Sequence, residues 1–188
     1  MKQSGWLMKH ERGFTLVELM TVISIVVLLL AWGIPAYSTW KVRHDIENEI
    51  VQLYSDLQFG RMTAYGDKVI TGILWGAGQN STNFTSYKIM SDTNNTGTID
   101  SSATQVQGTS TVNLKYPITT ADQQSVSFDP RGYLYIGYTS ITPDTANPIT
   151  FTVNSALSAQ AALNCVNVTT NRIILGKINV GTGVCQPK

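Results

Sequence analysis

The chain has 188 residues, a net charge of +1 and 43% hydrophobic residues, the content of one globular unit with an anchor rather than of a disordered tail. So even a balance gives no general attraction to nucleic acid or anionic lipid. The lack of a repeat period or a long block of like charge excludes a solenoid or coiled-coil array.

The N-terminus carries Lys2, Lys9 and Arg12, then Gly13, and then an apolar run from Phe14 to Ala36 in which Glu18 is the one ionisable residue. As a helix this run reaches roughly 34 Å, at about 1.5 Å per residue. That length crosses a hydrocarbon core about 30 Å thick. A secretory signal peptide fits poorly, because Leu28-Leu29-Leu30-Ala31-Trp32-Gly33-Ile34-Pro35-Ala36 makes a poor small-residue cleavage site. A plain signal anchor has no use for Glu18, since a carboxylate within the apolar run costs roughly 2.5 to 3.5 kcal/mol on insertion scales. The basic residues before the span hold the amino terminus in the cytoplasm. Beyond it, Lys41 and Arg43 are closely followed by Asp45, Glu47 and Glu49, so the bulk of the chain is expected outside.

The segment Arg12-Gly13-Phe14-Thr15-Leu16-Val17-Glu18, continued by Leu19, Met20 and an apolar helix, resembles the processing site of type IV pilins and of the pseudopilins of type II secretion. The resemblance implies that a prepilin peptidase cuts between Gly13 and Phe14 and methylates the new terminus at Phe14. It also implies that Glu18 is an assembly contact in a filament. A new amino group at Phe14 is a cation near the membrane face, and a carboxylate four residues on can neutralise it in the same helix or in a neighbour's, lowering the cost of both charges. The alternative is that Glu18 favours the positive end of its own helix, an effect of about 0.3 to 1 kcal/mol. A start at Met8 instead of Met1 gives a short leader and the same mature chain.

Gly33 and Pro35 interrupt the upstream helix, Pro35 by removing a backbone donor, and a kink or melted turn is expected there. Its use would be a joint for extraction from the membrane; a tolerated kink is the alternative. Beyond it, Ile46, Ile50, Leu53 and Leu57 recur at spacings of three and four, while Asp45, Glu47, Glu49, Asp56 and Arg61 fill other positions. That predicts an amphipathic helix, weakened by Gly60 and Gly66 and ending near Gly66.

After Gly66 the chain reads as strands over 69–75, 87–90, 112–116, 125–128, 133–138, 149–153 and 172–180, divided by Gly, Asn, Asp, Ser and Thr clusters. Asp129-Pro130-Arg131-Gly132 suits a turn that joins Val126-Ser127-Phe128 to Tyr133-Leu134-Tyr135-Ile136 in a hairpin. The stretch from Gln79 to Ser110 is expected as a long exposed loop or hairpin. The expected fold is α+β: a leader over 1–13, a transmembrane and assembly helix over 14–36, an amphipathic helix over 37–66, and an antiparallel β-rich head over 67–188 on which that helix packs.

The Phe128-Asp129-Pro130-Arg131-Gly132 turn and the run Asn171-Arg172-Ile173-Ile174-Leu175-Gly176-Lys177 are similar to the GspH/FimT family of minor pseudopilins and minor pilins. That resemblance implies a bacterial inner-membrane protein with a periplasmic head, partnered by prepilin peptidase, other pilin or pseudopilin subunits and an inner-membrane assembly platform. A calcium-binding major pseudopilin is less favoured, because Asp92, Asp100, Asp122 and Asp129 are scattered rather than clustered.

Cys165 and Cys185 fall in the part placed outside the cytoplasm, so a disulfide is expected, with two free buried thiols as the alternative. The loop it closes stabilises by about 3 kcal/mol on the chain-entropy model. No metal site is expected, since His10 leaves with the leader and His44 is remote in sequence from both cysteines. No cofactor is expected, and Gly76-Ala77-Gly78 and Gly181-Thr182-Gly183 read as turns rather than nucleotide sites. No Ser-His-Asp arrangement or phosphate loop is present, so the chain reads as the substrate of an enzyme and not as one. Three functions stay open: a minor pseudopilin of type II secretion at or near the tip of a short filament, a minor pilin that primes a type IV pilus, and a DNA-binding tip subunit using Arg172, Lys177 and Lys188. For those three cations the alternative is a strand edge guarded by charge.

Overall fold

The computed structural model describes residues 13–75, 82–120, 125–135, 148–156, 158–179 and 181–188. Expectations for the leader, for Gly76-Ala77-Gly78, for Asp122 and for 136–138 lie outside these residues. One 52-residue helix, α1 (Leu16–Asp67), precedes ten short strands. The chain forms two compact units that meet in sequence between Trp40 and Lys41.

In the first unit every residue from 13 to 38 is exposed. The segment is rich in β-branched Val and Ile, which have modest helix propensity in water. Helix is nonetheless the form in which an apolar segment satisfies its own backbone groups, as a lipid environment demands. The hydroxyls follow suit: Thr21 Oγ1 donates to the Glu18 carbonyl at 2.9 Å and Ser24 Oγ to that of Met20 at 2.8 Å. Of the kink or melted turn expected at Gly33 and Pro35, the melted turn is not formed, because α1 continues through both. Just beyond, Ser38 Oγ and Thr39 Oγ1 both donate to the Pro35 carbonyl, at 2.9 and 3.1 Å.

The second unit is the head. Its strands are β1 (Thr71–Leu74), β2 (Asn83–Ser91), β3 (Thr104–Gln105), β4 (Val112–Thr119), β5 (Ser125–Phe128), β6 (Leu134–Tyr135), β7 (Ile149–Val153), β8 (Cys165–Val168), β9 (Ile173–Ile178) and β10 (Cys185–Pro187). They pair antiparallel in the order β10-β9-β8-β7-β4-β2-β1-β5-β6, with β3 on β2. The first half of β2 pairs with β4 and the second half with β1, so β2 joins the two halves of the sheet. The expected hairpin is present, with Phe128 opposite Leu134 and Gly132 at φ 83° in the turn, a conformation glycine adopts freely.

Of the exposed loop or hairpin expected over 79–110, the described part is a hairpin, β2 pairing antiparallel with β3, but it is not exposed throughout. All of β2 lies within it, Phe84 is buried in the main core, and Met90, Ile99 and Ala103 form a second small core. Asp92 organises the turn between: it is buried and accepts from Thr96 N and Thr96 Oγ1 at 3.0 Å and from Gly97 N at 2.7 Å.

The stripe Ile46, Ile50, Leu53, Leu57 and Ala64 is fully withdrawn from water against the sheet. Trp75, Phe84, Tyr87 and Phe151 build the aromatic centre of this core, with Trp75 stacked on Phe84 at 4.9 Å and edge-on to Phe151 at 5.4 Å. Gly60 faces β1, where a Cβ would make an ordinary contact at 3.8 Å with the Gly72 Cα. Gly72 in turn has no room for a side chain, because its Cβ would fall 2.2 Å from the Val126 carbonyl oxygen. Helix α1 ends at Asp67, and Lys68 takes the left-handed conformation at φ 58° that closes it.

Polar residues beside the stripe also bind the head. Glu49 accepts from the backbone N–H groups of Lys115 and Tyr116, in the part of β4 that β7 does not pair. Asp45 pairs with Lys115, and Glu47 accepts from Ala162 N at 2.6 Å. Tyr87 Oη donates to Asp56 Oδ2 at 2.6 Å.

Cys165 and Cys185 are joined in a disulfide with Cα atoms 6.0 Å apart. They lie on β8 and β10, strands separated in the sheet order by β9. The close approach requires Gly176 of β9, where a Cβ would sit 1.9 Å from the Gln186 carbonyl oxygen.

Burial pushes the Asp56 carboxyl above its ordinary value of 3.8, against the opposing hydrogen bond from Tyr87. A carboxyl raised on folding contributes stability that is full below its unfolded value and is lost as pH rises through its folded value. Asp56→Asn keeps an acceptor for Tyr87 and removes the charge. In thermal unfolding of the full chain in detergent, followed by near-UV circular dichroism, the variant is expected to lose less stability than the wild type as pH rises from 3.8 toward neutrality. Parallel pH profiles would contradict the assignment.

Candidate functional site

The segment around Gly13, Phe14 and Glu18 is the start of α1. Thr15 caps it: the Glu18 N–H donates to Thr15 Oγ1 at 3.2 Å, and the Leu19 N–H reaches the Thr15 carbonyl at 3.2 Å. Thr15 and Glu18 have the spacing of a capping box, in which the carboxylate reaches back to the cap residue's N–H. Only the Thr15 half is formed, and among the described residues the Glu18 carboxylate has no hydrogen-bond or ion-pair partner. The helix start is therefore satisfied by Thr15, and Glu18 is left available to an external cation. Thr15 is a functional residue that the sequence reading passed over, although the Thr-x-x-Glu spacing before an apolar run signals it.

Around this start the helix is apolar on all sides. Phe14 is 84% exposed and Leu16 73%, and no part of the most apolar stretch is buried by the chain itself. A helix that is hydrophobic all round belongs inside lipid or among other subunits. This one is long and apolar enough to cross a membrane.

The remaining candidates lie on or beside β9 and β10. Lys177 stands opposite Gln186 in the β9–β10 pair, and Lys188 follows β10 directly. Arg172 lies just before β9, about 16 Å along the strand from Lys177 at roughly 3.3 Å per residue. Lys188 beside Pro187 suits an edge strand that resists further pairing, Pro187 having no N–H to offer. Among the described residues no group of three His, Cys, Asp or Glu side chains is arranged to hold a metal. Asp100 and Asp129 are used locally, by Ser102 and by Arg131.

Residues 8–34 match the family model of the prokaryotic N-terminal methylation motif, and residues 49–172 match that of type II transport protein GspH. Among curated proteins, type IV major fimbrial protein FimA of Dichelobacter nodosus (strain VCS1703A) is 34% identical over 64 residues, 30% of this chain and 40% of the relative. Prepilin peptidase-dependent protein D of Escherichia coli (strain K12) is 58% identical over 33 residues, 18% of this chain and 23% of the relative. The chain thus spans less than half the length of these relatives. No solved structure matches it at a significant level. The matched families are structural pilin and pseudopilin proteins rather than enzymes. With an unburied apolar helix that starts in a methylation motif and an antiparallel head matched over most of its length, the chain belongs to the GspH family of pilin-like type II transport proteins.

Proposed function

We propose that the chain is a minor pseudopilin of a type II secretion system, anchored in the inner membrane with its head in the periplasm. Prepilin peptidase cuts it between Gly13 and Phe14 and methylates Phe14. It then joins other pseudopilin subunits, on an inner-membrane assembly platform, at or near the tip of a periplasmic filament. The observation that carries this reading is the Glu18 carboxylate, which has no partner among the described residues although it stands in an apolar run. An isolated carboxylate in lipid is costly, and a cationic terminus offered by a neighbouring subunit would offset that cost. The GspH match of the head supports secretion over piliation.

A second reading, a minor pilin that primes a type IV pilus, is favoured by the FimA match, which comes from a type IV fimbrial protein. The two share their N-terminal chemistry, and a difference between them lies in the head.

Glu18→Ala is expected to leave cleavage at Gly13 intact and to reduce incorporation into filaments by about tenfold or more, the effect of losing one charged contact of roughly 1.5 to 3 kcal/mol. The check is the ratio of subunit in sheared filaments to subunit in membranes, and normal incorporation contradicts the role. A strain lacking the protein separates the two machines. Secreted enzymes held in the periplasm with surface pili intact are expected; lost pili with normal secretion would replace the first reading by the second.

A further inference from the structure

The C-terminal part of α1 and the β5–β6 turn enclose an open concavity of about 350 Å³ lined by Gln58, Arg61, Met62, Tyr65, Arg131 and Gly132. Among the described residues two guanidinium groups line it and no carboxylate does. Arg131 is held in place: its Nε donates to Asp129 Oδ2 at 2.9 Å, while Asp129 Oδ1 accepts from the backbone N–H groups of Arg131 and Tyr133, each at 2.9 Å. Burial pushes the Asp129 carboxyl up, but these hydrogen bonds outweigh it and hold the group below its ordinary range as an anion. Among the described residues only one of the five guanidinium donors of Arg131, its Nε, has a hydrogen-bond partner. Arg61 has no hydrogen-bond or ion-pair partner among the described residues. Gly132 lies beside it, where a Cβ would make an ordinary contact at 3.4 Å with Arg61 Nε.

Beside the two guanidinium groups stand large side chains open to water, Met62 at 68% and Tyr65 at 61% exposure. Arg, Tyr and Met are the residues enriched at the centres of protein interfaces. Guanidinium groups match carboxylates in plane and spacing, and pairs of this kind give directional, charge-assisted hydrogen bonds. The missing carboxylate must come from elsewhere. In this chain Asp45, Glu47, Glu49, Asp56, Asp92, Asp100 and Asp129 already have internal partners. Among the described residues that leaves Glu18, in the apolar run, and the exposed Asp67, at the end of α1, as the acidic side chains a second copy could offer, too few for an acidic segment.

We propose that this concavity docks an acidic segment of a different protein, with a Glu or Asp carboxylate taken by Arg61 and Arg131 and an adjoining apolar side chain laid against Met62 and Tyr65. Asp129 acts as a positioning residue that presents Arg131. The surface stands apart from the assembly role of Glu18, and its test involves no filament.

The test is fluorescence anisotropy with the full chain in zwitterionic detergent and a labelled peptide of alternating Glu and Leu. Its counterpart of Gln and Leu and a labelled oligothymidylate serve as competing probes. Saturable binding of the Glu peptide below about 1 mM is expected, with the Gln peptide weaker by about tenfold or more. Arg61→Gln and Arg131→Gln are each expected to weaken the Glu peptide by about tenfold, Asp129→Asn by less, and Arg172→Gln not at all. Near-UV circular dichroism checks that each variant is folded, and Arg61→Gln decides alone if the turn variants are not. Equal binding of the two peptides, an equal loss with Arg172→Gln, or no saturable binding would overturn the proposal. Tighter binding of oligothymidylate through the same two arginines would replace it with a nucleic-acid surface.

Discussion

Five apolar side chains of α1, Ile46, Ile50, Leu53, Leu57 and Ala64, lose all contact with water against a sheet whose opposing face is Ile73, Trp75, Phe84, Tyr87, Phe128 and Phe151. Burying each Ile or Leu contributes about 1.5 to 3 kcal/mol, an upper bound because the unfolded chain already hides part of that surface. The strands of the head are short and several ladders are brief, with β4 and β7 sharing only two residue pairs. Sheet pairing alone would leave such a structure marginal. The helix supplies what the sheet lacks, both as apolar surface and as acceptors, since Glu49 takes the backbone donors that β7 leaves unpaired on β4.

The same helix obeys a different rule before Trp40. There its apolar residues cover every side and none is buried by the chain. Such a surface requires lipid or other subunits around it. Its hydroxyls are satisfied within the helix by Glu18 and Met20 carbonyls, which suits a segment that meets no water. Its cap is made by Thr15, so helix start and carboxylate are separate devices. A segment built in this way can exchange a lipid environment for a protein one without rearranging its own hydrogen bonds.

Local signals made much of this legible. The stripe at spacings of three and four announced the packed face of α1, and Pro then Gly after Asp129 announced the β5–β6 turn. Other features carried no local signal. Strand β8 is buried at all four positions, Cys165 to Val168, so it lacks the alternation that marks a half-buried strand, and β10 has only three residues including Pro187. The need for glycine at Gly72 appears only from the approach of the neighbouring strand, whose Val126 carbonyl oxygen would lie 2.2 Å from a Cβ there. Asp45, Glu49 and Asp56 read as solvated positions because their partners, Lys115 and Tyr87, are 31 to 70 residues away in sequence. Gly13, Phe14 and Glu18 form a contiguous motif and could be found without the fold. Arg61 and Arg131 are brought to one concavity only by the packing of α1 on the hairpin.

The central claim is that the mature chain begins at Phe14 and works as an anchored, polymerising subunit. The most direct measurement is the mass of the N-terminal peptide of the protein purified from its native membrane. The account predicts a peptide that starts at Phe14 and carries one methyl group on its amino nitrogen. A peptide that starts at Met1 or Met8, or a chain cut beyond Ala36, would contradict it.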